Sequence, residues 1–153
     1  MKSLKILSLV AVLLMTLVGC KKNNDVPSAS GNFDAIENEW KLVSVNGVAN
    51  DFDVYISFEG GFFAMYQQVY TLDYKFYDGE YKVEGGKLTG EYFEAGAWKC
   101  AYTGGVSEDG KTLTLKSDEV NPVTCVYEAC TIPEIVKEES LADTRSMEVV
   151  PFL

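Results

Sequence analysis

From Trp40 onward apolar and polar residues alternate with a period of two, and Gly, Asn, Asp and Pro cut the alternation into short pieces. That period belongs to a strand with one buried face. Residues 40–45 end at Asn46-Gly47, the strongest short hairpin signal. In residues 53–58, Val54, Ile56 and Phe58 share a face, and Gly60-Gly61 stops the run before residues 62–68. Leu72, Tyr74 and Phe76 alternate with Asp73, Lys75 and Tyr77, and Asp78-Gly79 reads as the turn that closes this piece. Tyr81 and Val83 open another, ended by Gly85-Gly86, and residues 87–93, 98–103, 111–116 and 123–131 complete the series. Short strands recurring about every 8–12 residues predict an all-β fold, a single antiparallel meander β-barrel of about eight strands. A helical signal arrives only with Pro133 and the acidic turn after it, placing one short helix around residues 133–141. Residues 143–153 read as an extended tail, with Phe152 either docked on the barrel or hanging free.

The chain begins differently. Lys2 and Lys5 precede an apolar run over residues 6–18 that closes on Leu17-Val18-Gly19-Cys20. A basic start, an apolar segment too short for a stable anchor and a small-residue cleavage site form a secretory signal peptide. Leu-Val-Gly-Cys resembles the lipobox of bacterial lipoproteins. The resemblance implies a signal peptide over residues 1–19, lipid on Cys20, and three acyl chains, enough for firm attachment. Residues 20–32 then form a flexible tether, rich in Asn, Ser and Lys and without an aromatic residue. Lys21 is not the aspartate that enteric sorting rules associate with inner-membrane retention, so the analogy favours the outer membrane, in either leaflet.

Several further pieces of sequence together resemble one family. The opening Trp40-Lys41-Leu42-Val43-Ser44-Val45-Asn46-Gly47 and the turn Gly85-Gly86-Lys87-Leu88-Thr89-Gly90 are joined by Thr112-Leu113-Thr114-Leu115, Tyr127 and Ile132-Pro133-Glu134. Together these are similar to the lipocalin-like lipoproteins of Gram-negative bacteria. The resemblance implies a small barrel domain over residues 33–142 with a C-terminal helix. Asn38 stands where lipocalins proper carry Gly two positions before the first-strand Trp.

Composition narrows the chemistry. The chain has 153 residues, a formal charge of −10 and no histidine. The absence of imidazole removes the usual general base and zinc ligand, and no cofactor motif appears, so the expectation is a binding protein, not an enzyme, without cofactor or metal. The acidic balance disfavours nucleic acid and favours a cationic protein as partner. Acidic pairs such as Asp51 with Asp53 and Glu138-Glu139 fall in turns or the helix and read as solvated charge.

The aromatic residues are the richest candidate set. Phe58, Phe63, Tyr74, Phe76, Tyr92, Trp98, Tyr102 and Tyr127 are expected on the inward face, with Met65 and Tyr81 beside them. There they either fill the barrel or line a cup for one small, partly apolar ligand, since eight-stranded barrels do both. Cys100 and Cys125 are expected inward and Cys130 outward, as buried thiols or with Cys100 bridged to one of the others. With an intervening strand at residues 111–116, Cys100 and Cys125 would lie about 9.5 Å apart, too far for a disulfide. The functional expectation is a lipid-anchored cell-envelope protein that binds a small apolar ligand. The alternatives are an acidic module engaging a cationic partner, by analogy with anchored lysozyme inhibitors, and a purely structural envelope component.

Overall fold

The computed structural model describes residues 32–69, 72–142 and 150–153. The residues read above as a signal peptide, as a lipidation site at Cys20 and as a tether up to residue 31 lie outside them.

Ten strands follow in chain order: β1 (Glu39–Val45), β2 (Val48–Ala49), β3 (Val54–Glu59), β4 (Phe62–Gln67), β5 (Lys75–Glu84), β6 (Lys87–Tyr92), β7 (Gly96–Ala97), β8 (Tyr102–Val106), β9 (Thr112–Ser117) and β10 (Thr124–Ala129). Eight of them close an antiparallel barrel, β1-β3-β4-β5-β6-β8-β9-β10 and back to β1. The two-residue strands β2 and β7 hang on β1 and β6. Asn46 (φ 51°) and Gly47 (φ 76°) make the left-handed pair that a tight two-residue hairpin needs. The Asn46 carboxamide also accepts the Thr124 N–H at 2.8 Å, tying this turn to β10. A register shift between Leu42 and Ser44 bulges β1 where it closes against β10.

One expected turn is not a turn. Strand β5 runs unbroken through Asp78-Gly79, with Phe63 opposite Gly79 on one side and Tyr92 opposite it on the other. A Cβ on Gly79 would collide with the Glu91 carbonyl oxygen and lie 2.9 Å from the Phe63 ring. The glycine permits close approach inside a strand, which the Asp-Gly pair disguises as a turn signal.

The barrel interior is packed along most of its length. Trp40, Leu42, Ile56, Phe58, Met65, Leu88, Leu113, Leu115 and Tyr127 are all buried. One end is closed by the entering chain: Phe33 and Ile36 are buried there, and the Trp40 indole N–H donates to the Ile36 carbonyl at 2.9 Å. The Val106 N–H donates to the Asn32 carbonyl at 2.9 Å, stitching that entry to β8.

Helix α1 (Glu134–Ala142) lies outside the wall. It and the residues before it contribute Val136 and Ile132, which cover Tyr55 and Tyr74 in a separate apolar cluster. Glu39 on β1 fixes this arrangement, accepting the Ile132 N–H at 2.6 Å and the Lys137 ammonium at 3.1 Å. The second cluster explains why periodicity misassigned two aromatic residues. Tyr74 and Phe76 do share a face, but it is the outer one: Tyr74 sits beneath the helix and Phe76 packs on Tyr66, ring centroids 5.3 Å apart. The register that sets Met65 opposite Tyr77 and Phe63 opposite Gly79 turns Tyr77 inward instead, on the same face as Tyr81, which is inward as expected.

Candidate functional site at the barrel mouth

The end opposite Phe33 and Ile36 is the mouth, framed by the end of β1, the starts of β3, β8 and β10, and the ends of β4 and β9. Residues 150–153 enter it. Gln67, at the inward end of β4, is fully buried, and both ends of its amide are engaged. Its Nε2 donates to the Val150 carbonyl at 3.1 Å, and its Oε1 accepts the Phe152 N–H at 2.8 Å. The Phe152 ring packs on Phe52 at 5.9 Å, and Leu153 descends into the barrel, where it is buried. There the Tyr92 hydroxyl donates to the Leu153 main-chain oxygen at 3.0 Å. Phe152, the tail residue for which docking and hanging free were both open, is docked.

Beside this segment remains a cavity of about 210 Å³, lined by Val45, Cys100, Tyr102, Ser117, Val123 and Cys125 together with Phe152 and Leu153. Lys99 and Glu119 stand at its rim. The inward aromatics divide along the barrel axis. Phe58 packs edge-on against Tyr81 at 5.0 Å, and Phe63 against Trp98 at 5.0 Å, so this part is filled core. Tyr102 lines the cavity itself, Tyr92 meets Leu153, and Tyr127 lies below them, fully buried. Trp98 finds its space because Gly90 has none to fill: a Cβ there would fall inside the indole.

The polar atoms near the mouth are unevenly served. Among the described residues the Tyr127 hydroxyl and the Trp98 indole N–H are buried without a hydrogen-bond partner. Such groups cost about 1–3 kcal/mol each. Cys100, Cys125 and Cys130 are free thiols among the described residues. Cys125 and Cys100 face the core and Cys130 the outer cluster, with β9 standing between β8 and β10 as the meander requires. Among the described residues no group of three or more His, Cys, Asp or Glu could hold a metal ion.

Burial pushes the Cys125 thiol from its ordinary 9.0 up to about 11. It likewise raises the hydroxyls of Tyr92, Tyr102 and Tyr127 above the ordinary 10.0. These groups hold their protons more tightly folded than unfolded. The Cys125 contribution to stability is therefore complete below about pH 9 and is lost as pH rises through about 11, and the loss from the tyrosines begins above about pH 10. Melting temperature should fall across that window, with tyrosinate absorbance appearing together with unfolding. Tyrosinate forming fully in a barrel that still melts as it does at pH 8 would contradict this.

Sequence reasoning missed Gln67, Phe152 and Leu153 as parts of the mouth. For Gln67 a signal existed: it is the one polar residue in the inward row Phe63, Met65, Gln67. Searches of protein-family models, of curated proteins and of solved structures find no match to this chain.

Proposed function

We propose that this chain is a lipid-anchored cell-envelope protein whose lipocalin-like barrel binds a small, partly apolar molecule at its mouth. The observation that carries the reading is the cavity beside Phe152 and Leu153, apolar on Val45, Val123 and Cys125 and polar on Tyr102 and Ser117. Apolar lining with a few placed polar groups is the usual make-up of a small-molecule site. At about 210 Å³ the cavity is smaller than the roughly 300–1,000 Å³ of most such sites, so a larger guest requires residues 150–153 to yield. The geometry also suits an anchor. The chain enters the barrel at Asn32, at the closed end, so lipid on Cys20 would hold that end toward the membrane and leave the mouth pointing away.

A neutral probe avoids repulsion by the acidic surface. N-phenyl-1-naphthylamine, titrated into residues 20–153 produced without lipid, should show saturable, one-to-one fluorescence enhancement. Val123→Trp, which fills the cavity from its wall, should weaken that binding at least tenfold. Enhancement that never saturates, or that ignores Val123→Trp in a variant with unchanged melting, would overturn the reading.

A further inference from the structure

Residues 150–153 are held at the mouth as a peptide-binding protein holds an extended peptide. Gln67 grips main chain only, the carbonyl of Val150 and the N–H of Phe152, two residues apart. Between them Pro151 has no N–H to satisfy. Main-chain pairing of this kind gives affinity without regard to sequence, and the side-chain pockets supply the selectivity. Here Phe52 receives an aromatic ring, and the barrel interior receives the aliphatic residue that follows.

Gln67 makes the case that this is a site and not incidental packing. The residue is fully buried in a row whose other members are Phe63 and Met65. A peptide segment across it is what pairs both ends of its amide, and without one they have only water at the mouth for partners. A barrel selected for packing alone would do better with Leu or Met there. Below the inserted residue the Tyr92 hydroxyl meets the main-chain oxygen of Leu153, so the far end of the peptide has its own donor.

We propose that the mouth is a binding site for an extended apolar peptide carrying an aromatic residue followed by an aliphatic one, and that residues 150–153 fill this site in cis. This deepens, and rests on, the reading of the mouth as a binding cup. An occupant joined to the same chain competes at an effective concentration on the order of millimolar. A peptide supplied in trans therefore binds the intact protein weakly and binds fully only when the cis segment is out.

The test uses the same residues 20–153 with Phe152→Asp and Leu153→Asp together. Two carboxylates cannot be desolvated against Phe52 and the barrel interior, so the segment leaves while every residue of the wall is kept. The probe is the peptide Val-Val-Pro-Phe-Leu labelled at its amino end, followed by fluorescence anisotropy. It should bind the double variant at least tenfold more tightly than the intact chain. Adding Gln67→Leu should lower peptide binding at least tenfold in a variant that still folds. If the folded double variant binds naphthylamine but takes the peptide no better than the intact chain, the peptide inference falls and the cup stands. If the intact chain also fails to bind naphthylamine, both fall. Should the double variant not fold, Phe152→Ser must give the same two rankings, and its failure to do so overturns the proposal.

Discussion

Gly79→Ala is expected to destabilise the barrel by about 3 kcal/mol or more, at the upper end of overpacking effects. A single-domain protein holds only about 5–15 kcal/mol in total, so this variant should melt far below the parent. Unusual backbone angles are not the cause. Gly79 lies in an extended strand, and the obstruction is the Glu91 carbonyl on β6 together with the Phe63 ring. A ring can rotate, but a backbone carbonyl in a barrel ladder moves only if β5 and β6 separate. Gly85→Ala provides the contrast. That glycine has a left-handed φ of 59° and open space around the missing Cβ, so its cost is only the backbone strain of about 1–2 kcal/mol. Urea denaturation of the two variants ranks them directly, and a Gly79→Ala loss no larger than that of Gly85→Ala would refute the steric argument. Gly90 occupies an intermediate position. Its obstruction is the Trp98 side chain, so Gly90→Ala should be partly rescued by Trp98→Leu, whereas no single side-chain change should rescue Gly79→Ala.

The contrast between Gly79 and the hairpin glycines marks the limit of what sequence alone could say about this fold. The period of two, the spacing of strands, the Asn46-Gly47 hairpin and the helix after Pro133 depend on near neighbours in the chain, and each is where local chemistry puts it. Whether Asp78-Gly79 turns or continues depends on Phe63 and Glu91, brought in from other strands. Parity failed for a related reason. Alternation pairs Tyr74 with Phe76 correctly but cannot say which face is inside, and α1 makes part of the outer face apolar as well. The thiols fared better because their placement needs only parity and a meander order. In the site, Tyr92, Tyr102, Tyr127 and Trp98 were legible as inward residues. The occupant of the mouth was not, since residues 150–153 reach Gln67 across more than eighty positions of chain.

Trp40→Ala is the second large expectation, a loss of about 3–5 kcal/mol. Trp40 has no exposed surface, and it sits where the entering chain seals the barrel. Removing the indole opens a void against Phe33 and Ile36 and also orphans the Ile36 carbonyl, whose hydrogen bond it made at 2.9 Å. Trp40→Phe separates the two effects. It keeps most of the volume and loses the donor, so it should cost about 1–3 kcal/mol, the penalty of one buried unpaired acceptor plus a small void. Denaturation followed by the emission of Trp98, the only other tryptophan, reports both variants from the far half of the barrel. Trp40→Ala within about 1 kcal/mol of the parent would mean that the chain entry does not seal the core. The mouth provides the internal control. Val45, Tyr102 and Cys125 surround a cavity at the other end, so a Trp40→Phe barrel that remains folded should bind N-phenyl-1-naphthylamine as the parent does. Binding that weakened in step with stability would place the probe in the closed end and not in the mouth.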